Sequence, residues 1–136
     1  VADWFYQLHL DYDIRVWRVG YDQRFSKDWI TRMDYYGWQK TGTDDSDLVM
    51  INQNAQTLTN AIKLAEADFQ HKLIWYNNHA VDKWCFGNAG LTVDKKGAAL
   101  IVKMETKKRI DGAVSLVILY ETYRRFRTEY RNLVEG

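Results

Sequence analysis

The sequence lacks proline, contains a single cysteine and has no long apolar run. An average chain of this length would contain about seven prolines. Because Cys85 has no second thiol to pair with, it cannot form an internal disulfide, which fits a reducing compartment. No apolar stretch approaches the roughly eighteen residues that a transmembrane helix needs, so we expect no membrane partner. Residues 1–4 show neither the basic nor the apolar region of a signal peptide, and none is expected.

The composition that remains is that of a globular protein rich in aromatic residues. Of the 136 residues, 46% are hydrophobic, 27% are charged and 15% are aromatic. These proportions exclude a disordered chain, a collagen-like chain and a coiled-coil rod. The length suffices for one domain and is short for two, so a single domain over residues 1–136 is predicted.

The charge is unevenly distributed along the chain, although the net charge of +1 names no partner. Residues 1–102 contain eleven Lys and Arg against thirteen Asp and Glu, which gives −2. Residues 103–136 contain eight against five, which gives +3. We therefore expect a polyanion to approach the C-terminal quarter, although a solvated helix face gives the same pattern.

Hydrophobic periodicity predicts alternating helices and strands. Helices are expected where apolar residues recur three and four apart, at 4–10, 26–36, 58–69 and from 111 onward. Strands are expected where β-branched and apolar residues are concentrated, at 14–20, 48–51 and 98–104. Ser26 is suited to cap the second helix and Gly37 to follow its end. This order favours an α/β fold whose mixed or parallel sheet is covered by helices.

Three segments are less regular than these elements. Turn formers and acidic residues predict a loop at 42–47. Residues 73–76 form a short apolar run, and residues 80–94 fit neither periodicity. The turn at 94–97 leads into the last predicted strand.

A carboxylate at the start of the last helix is the most distinctive local pattern. Asp111 follows closely on three consecutive basic residues. A helix N-terminus stabilises a carboxylate, so the simplest interpretation is that Asp111 caps the helix and the lysines are solvated. The functional alternative is that Asp111 binds a metal ion. The residues that would then bind DNA phosphates are Lys103, Lys107, Lys108 and Arg109.

A second acidic residue, Asp22, lies just past the predicted strand at 14–20. Ligands of open α/β sheets bind in the crevice outside the carboxyl ends of the strands. Taken alone, Asp22 is equally well explained as a turn residue. If Asp22 and Asp111 converge, their mutual repulsion requires a cation, and Mg²⁺ with oxygen ligands suits that role.

Other reactive side chains favour structural roles. His79 follows two asparagines as in part of an HNH nuclease site, but no later histidine follows it. One cysteine and three scattered histidines give no zinc-ligand spacing. We expect His79 to form structural hydrogen bonds and Cys85 to pack between its aromatic neighbours. No phosphate-binding loop, nucleophile elbow or kinase signature is present.

The last predicted helix carries an aromatic stripe and several arginines. The stripe recurs at helical spacing and is expected to pack in the core; its members are Tyr120, Tyr123, Phe126 and Tyr130. Arg124, Arg127 and Arg131 could contact DNA phosphates from one face of the helix. A solvated face is the simpler interpretation of these arginines.

Several short segments occur in a specific order and spacing. They are Gly20-Tyr21-Asp22, Leu58-Thr59-Asn60-Ala61-Ile62-Lys63, Lys72-Leu73, Trp84-Cys85-Phe86-Gly87-Asn88-Ala89, Lys103 and Arg109-Ile110-Asp111-Gly112-Ala113. In this order the chain resembles, over nearly its whole length, the C-terminal nuclease domain of the large terminase subunits of tailed bacteriophages.

This resemblance implies a ribonuclease H-like fold, in which helices flank a mixed sheet, and an endonuclease that cuts concatemeric viral DNA. Such nucleases hydrolyse DNA with two divalent ions, Mg²⁺ or Mn²⁺, held by three acidic residues. By position, Asp22 corresponds to the second acid, Asp111 to the third and Lys103 to a recurring lysine. The implied partners are double-stranded DNA, the terminase ATPase domain, the small terminase subunit and the portal, in the cytoplasm of the bacterial host.

The first acid of the family has no counterpart in this sequence. In the family it lies on the first strand of an initial three-stranded meander, whereas this sequence begins at the helix that follows. Asp3, Asp11 and Asp13 do not sit on a suitable strand to replace it. The chain thus resembles a nuclease domain truncated at its N-terminal meander, and we expect weak or no activity from these residues alone. Without the meander, the sheet is expected to expose an apolar edge.

Other functions stay open at this point. The basic region 103–131 could belong to a non-catalytic module that docks DNA or a partner of the packaging motor. A purely structural domain, such as a motor-to-portal contact, would depend on neither aspartate. A Holliday-junction resolvase of similar fold is a further alternative, although the neighbourhoods of Asn88 and Lys103 fit it less well.

Overall fold

The computed structural model describes residues 1–43 and 45–136, so Asp44, within the predicted loop at 42–47, lies outside the described residues. The described residues form five helices and four strands. They divide into two compact units, Val1–Asn52 and Gln53–Gly136. None of the described helices is both long and apolar enough to cross a membrane.

The first unit contains two helices and a two-stranded parallel sheet. Its elements are α1 (Ala2–Tyr12), β1 (Val19–Tyr21), α2 (Lys27–Tyr35) and β2 (Leu48–Met50). In the sheet, Val19 lies opposite Leu48 and Tyr21 lies opposite Met50. The parallel register brings the carboxyl ends of the two strands to the same edge.

The core of the first unit is built around Trp38 and Met33, whose side chains are almost completely buried. Tyr21 and Leu48 belong to the same buried cluster. The indole N–H of Trp38 donates a 2.7 Å hydrogen bond to the carbonyl of Val16. A buried indole needs such a partner, so this bond fixes the chain that leads into β1.

The strand at 14–20 is much shorter than predicted, whereas both helices and the strand at 48–51 are confirmed. Only Val19–Tyr21 pairs with a neighbour, because β2 offers three residues. Before Val19, the chain forms no regular element and bends at Trp17. Side chains fix it instead: Trp38 bonds the carbonyl of Val16, and Arg15 donates a 2.8 Å bond to the carbonyl of Gly37. The alternating residues therefore predicted a strand of which only the end is formed.

Ser26 and Gly37 flank α2 as predicted. The hydroxyl of Ser26, however, donates to the carbonyl of Gln23 at 2.8 Å and does not cap a helix N–H. Gly37 has a φ of 94°, a left-handed conformation that glycine adopts without strain.

The second unit contains three helices and an antiparallel hairpin. Its elements are α3 (Ala55–Gln70), α4 (Ala80–Asn88), β3 (Ala89–Val93), β4 (Ala99–Lys103) and α5 (Asp111–Glu135). Helix α3 packs against β4 and α5. Its buried residues recur three and four apart, as predicted, and are Leu58, Ala61, Ile62 and Ala65. The predicted turn into β4 is confirmed, because Asp94 accepts hydrogen bonds from the backbone N–H groups of Lys96 and Ala98 at 2.8 and 2.9 Å.

The segment at 80–94, for which no periodicity could be assigned, is half helix and half strand. Helix α4 passes directly into β3 at Ala89, so neither the helical nor the strand period covers the whole segment. The apolar run at 73–76 forms no regular element, and Trp75 is 93% exposed.

The buried face of α5 differs from the predicted aromatic stripe. The buried residues of this helix are Ala113, Val117, Glu121 and Thr122. By contrast, Tyr123 and Tyr130 are exposed, so their assignment to the core is wrong. Half-buried Tyr120 and Phe126 lie between these two groups in exposure. The helix is also kinked at Phe126, where the backbone leaves the helical region.

A mixed α/β architecture is confirmed by these elements. Within the described residues the strands form two separate two-stranded sheets, one parallel and one antiparallel, and each lies in its own unit. The helix–strand alternation predicted from the sequence is interrupted where α4 follows α3 and where β4 follows β3.

Helix α5 lies close to α4 at Gly112. A Cβ atom at this position would lie 3.1 Å from the Cβ of Cys85 and 3.5 Å from Oδ1 of Asp82. The backbone fixes the Cβ of Cys85, which therefore cannot swing away as the end of a long side chain could. Cys85 is buried at this close approach, as a structural role requires, and its packing between Trp84 and Phe86 stays a prediction.

Replacing Gly112 by alanine is expected to lower the free energy of unfolding, because the added methyl group must displace α4 or α5. The matched control is Gly87→Ala in α4, where nothing lies within 4 Å of the added Cβ and helix propensity should stabilise the chain. We expect the two variants to differ by about 2 kcal/mol in urea unfolding. Equal stability of the two variants would show that α4 and α5 are not tightly packed at Gly112.

Candidate metal and DNA-binding residues

Asp22 lies directly after β1, at the carboxyl edge of the parallel strand pair. The backbone N–H of Ile51 bonds the carbonyl of Tyr21 at 2.9 Å, so the pairing continues up to this edge. Oδ1 of Asp22 accepts a 3.0 Å bond from the backbone N–H of Arg24. This turn holds a half-buried carboxylate at the sheet edge where α/β folds bind ligands.

Asp111 is the first residue of α5 and is exposed. The residue that flanks the helix on its N-terminal side is Ile110, and no side chain caps this end by a hydrogen bond. The interpretation of Asp111 as the cap is therefore wrong: Ile110, one residue earlier, occupies the cap position. The carboxylate of Asp111 still lies in the first turn, where the exposed N–H groups and the helix dipole favour negative charge.

Asn88 fixes the loop that precedes Asp111. Its side chain is 5% exposed, and its Nδ2 donates a 3.0 Å hydrogen bond to the carbonyl of Arg109. Its backbone carbonyl accepts a 3.0 Å bond from the N–H of Met104. One buried residue thus holds both the beginning and the end of the loop at 104–109, and it determines where α5 begins.

The four predicted phosphate-binding residues all lie close to Asp111 in the sequence and in the same unit. Lys103 ends β4, while Lys107, Lys108 and Arg109 lie in the loop. Nζ of Lys108 forms an ion pair with Glu105 at 3.0 Å, so part of its charge is neutralised. The other three side chains are exposed and form no ion pair with the described residues.

The remaining aspartates near the N-terminus lie on or beside a helix, as the sequence suggested. Asp3 and Asp11 belong to α1, and Asp13 follows its end with a φ of 53°. Hydrogen bonds from Tyr36 at 2.6 Å and Arg32 at 3.1 Å lower the pKa of Asp3. Asp3 is therefore engaged within its own unit.

His79 forms the structural hydrogen bond predicted for it. It flanks α4 on the N-terminal side, and its Nδ1 accepts from the backbone N–H of Val81 at 3.2 Å. Within residues 1–43 and 45–136, no group of three His, Cys, Asp or Glu side chains is arranged to hold a metal ion. Asp22 lies in the first unit and Asp111 in the second.

Two buried polar interactions of α5 could not be identified from the sequence. The hydroxyl of Tyr120 donates to Oδ2 of Asp68 at 2.8 Å and joins α5 to α3. Burial and this hydrogen bond raise the pKa of Tyr120 to about 12. The only available signal was that Tyr120 belongs to an aromatic stripe, and that pattern does not reveal a partner fifty-two residues away.

Glu121 is the second of these interactions, and its side chain is 1% exposed. Arg124 donates to it through Nε at 2.9 Å and Nη2 at 3.1 Å, and Arg125 donates through Nε at 2.8 Å. Burial by itself raises the pKa of Glu121, but the bonds from the two arginines outweigh it and the pKa is lowered. The spacing of three and four residues in a helix was the available signal.

Comparison with known proteins agrees with the resemblance seen in the sequence. The family model described as terminase large subunit, endonuclease domain, matches residues 7–126. Neither the curated proteins nor the solved structures give a match to this chain. The matched range covers most of the sequence and includes both Asp22 and Asp111. The chain belongs to the family of terminase large subunit endonuclease domains.

The lowered pKa of Glu121 predicts a pH-dependent contribution to stability. A carboxylate whose pKa is lower in the folded state stabilises the fold above its unfolded pKa and loses this effect as the pH falls through the folded value. We expect Glu121→Gln to unfold more easily than the unchanged protein at pH 7, and this difference to narrow below about pH 4.5.

Urea unfolding between pH 7 and pH 3 measures this difference directly. Exposed Glu66 on α3 provides the control, and Glu66→Gln should change stability little at pH 7. A Glu121→Gln variant that is as stable as the unchanged protein at pH 7 would contradict the stabilising role of the two arginine bonds.

Proposed function

We propose that this chain is part of a metal-dependent endonuclease that cuts concatemeric DNA during viral DNA packaging. The observation that carries the proposal is the family match over residues 7–126, which spans both acidic residues of the candidate site. The proposed setting is the cytoplasm of the bacterial host. The proposed partners are double-stranded DNA, the terminase ATPase domain, the small terminase subunit and the portal.

The proposed architecture is ribonuclease H-like. Three features support it: the α/β composition, an acid at the carboxyl end of a parallel strand, and a long last helix that begins at an acid. We further propose that the two compact units together form one nuclease domain over residues 1–136.

The donor chemistry of the candidate site fits Mg²⁺ or Mn²⁺. Both ions prefer oxygen ligands, and Asp22 and Asp111 supply carboxylates that are held at the ends of regular elements. When bound, such ions activate water and neutralise the charge that develops on the scissile phosphate. The two-ion arrangement of the family is proposed here with Asp22 and Asp111 as ligands.

The residues of the chain itself have distinct tasks in this proposal. The turn at Asp22 orients one carboxylate, since its Oδ1 bonds the N–H of Arg24 while Oδ2 can face an ion. Lys103 at the end of β4, and Lys107 and Arg109 in the loop fixed by Asn88, precede Asp111 in the same unit. These cations would bind and orient the DNA phosphates, while Asp111 would supply the second carboxylate.

A non-catalytic docking module is the second candidate function. The observation that favours it is the set of exposed cations at 103–109, which could bind a polyanion without any metal ion. In that case Asp111 would only repel DNA. Its replacement by asparagine would leave DNA binding intact or stronger.

Calorimetric titration of Mn²⁺ separates the two candidates. We expect Asp22→Asn and Asp111→Asn each to weaken Mn²⁺ binding at least about tenfold and to abolish any Mn²⁺-dependent nicking of plasmid DNA. The matched control is Asp28→Asn, which alters an exposed carboxylate in the first turn of α2. Mn²⁺ binding that is unchanged in both site variants would contradict the nuclease proposal and support the docking module.

A further inference from the structure

Buried Glu121 holds two arginines in a fixed arrangement on α5. Its carboxylate accepts three hydrogen bonds, two from Arg124 and one from Arg125, with lengths between 2.8 and 3.1 Å. A carboxylate can be buried at low cost only when it is paired and hydrogen-bonded in this way. The consequence for the arginines is that both guanidinium groups have lost most of the freedom of an ordinary surface arginine.

The two arginines remain accessible to solvent although Glu121 is not. The side chain of Arg124 is 42% exposed and that of Arg125 is 35% exposed. The bonds to Glu121 use Nε and Nη2 of Arg124 and Nε of Arg125, so Nη1 of Arg124 and both Nη atoms of Arg125 are not engaged by this carboxylate. A planar guanidinium presents such N–H groups in the geometry that suits phosphate oxygens.

The charge of this part of α5 stays positive after the pairing is counted. One carboxylate and two guanidinium groups leave a net charge of +1, and residues 124–131 contain four arginines against one glutamate. Arg127 adds a further cation, whose guanidinium lies 5.9 Å from the ring of Tyr123. An anion that approaches this surface therefore meets guanidinium groups whose orientation is already fixed by Glu121.

We propose that Arg124 and Arg125, held by Glu121, form a clamp for backbone phosphates of double-stranded DNA. The term phosphate clamp is used below for these three residues. It rests on the proposed function only in taking duplex DNA as the ligand, and it is distinct from the cations at 103–109. Duplex DNA is favoured over an acidic peptide because the chain belongs to a family of endonuclease domains, and the DNA backbone presents a continuous row of phosphates to such cations.

The position of the phosphate clamp predicts where on the DNA it acts. Thirteen residues separate Asp111 from Arg124, which corresponds to about 20 Å along a helix that rises about 1.5 Å per residue. Successive base pairs are about 3.4 Å apart along the duplex. If the helix runs along the duplex, the clamp binds phosphates about six base pairs from the phosphate near Asp111.

Fluorescence anisotropy with a 30-base-pair duplex in EDTA tests the clamp without metal ions or cleavage. Arg124→Gln and Arg125→Gln are each expected to weaken binding about tenfold, as for the loss of one charge-assisted hydrogen bond. Each should also reduce the slope of log affinity against log salt by about 0.9. The control is Arg131→Gln on the same helix, whose arginine lies 3.5 Å from Glu135 and is not held by a buried carboxylate.

Each result either supports or overturns the phosphate clamp. A reduced salt slope in Arg124→Gln and Arg125→Gln, with the slope of Arg131→Gln unchanged, supports it. An equal reduction of the salt slope in all three variants would show that the helix binds DNA only by its diffuse positive charge. An unchanged salt slope in all three would show that Glu121 and its arginines contribute to stability alone. Either result overturns the clamp. If the glutamine variants do not fold, Arg125→Lys should keep the salt slope and bind DNA more weakly, and unweakened binding would overturn the clamp.

Failure of the clamp and failure of the nuclease proposal are distinguishable. The clamp predicts that Arg125→Gln binds Mn²⁺ as the unchanged protein does and that Asp111→Asn keeps the full salt slope in EDTA. If the two aspartate variants bind Mn²⁺ as the unchanged protein does while Arg124→Gln and Arg125→Gln reduce the salt slope, the nuclease proposal fails and the clamp stands. If the aspartate variants weaken Mn²⁺ binding while the arginine variants leave the salt slope unchanged, the clamp fails and the nuclease proposal stands.

Discussion

The hydrogen bond from the buried amide of Asn88 to the carbonyl of Arg109 is the constraint on which the candidate site in the second unit depends. It joins the end of α4 to the residue before the N-terminal flank of α5. The contact between Gly112 and Cys85 secures the same junction one turn further on. Together they fix the position and direction of the first turn of α5, and therefore of Asp111. An exposed carboxylate thus gains a defined position from buried neighbours that bear no charge.

In the first unit, Asp22 is positioned by different interactions. Asp22 is held by strand pairing up to Tyr21 and by the hydrogen bond that its carboxylate accepts from the N–H of Arg24. The strand itself packs in the buried cluster that contains Tyr21 and Trp38. Parallel pairing places both carboxyl ends at one edge, so strands of only three residues suffice to place Asp22 at that edge. The chain therefore builds each acid into the end of a regular element and leaves the charged oxygens accessible.

The sequence predicted the elements that depend on local pattern. Residues spaced by three and four identified α3, and Gly37 marked the end of α2 because its left-handed backbone favours glycine. Asp22 and Asp111 were found because they occupy the ends of predictable elements. Asn88 and Glu121 could not be assigned roles in the same way, since their partners depend on tertiary packing. Only part of the aromatic stripe of α5 was wrongly placed in the core: Tyr123 and Tyr130 are exposed, whereas Tyr120 is half-buried and bonds α3.

Diffraction from crystals soaked in Mn²⁺, recorded at a wavelength where manganese scatters anomalously, tests the central claim most directly. The account predicts that Asp22 and Asp111 each have an anomalous peak within ligand distance of a carboxylate oxygen. The absence of a peak at either carboxylate, or an ion bound only elsewhere, would contradict the assignment of these residues as metal ligands.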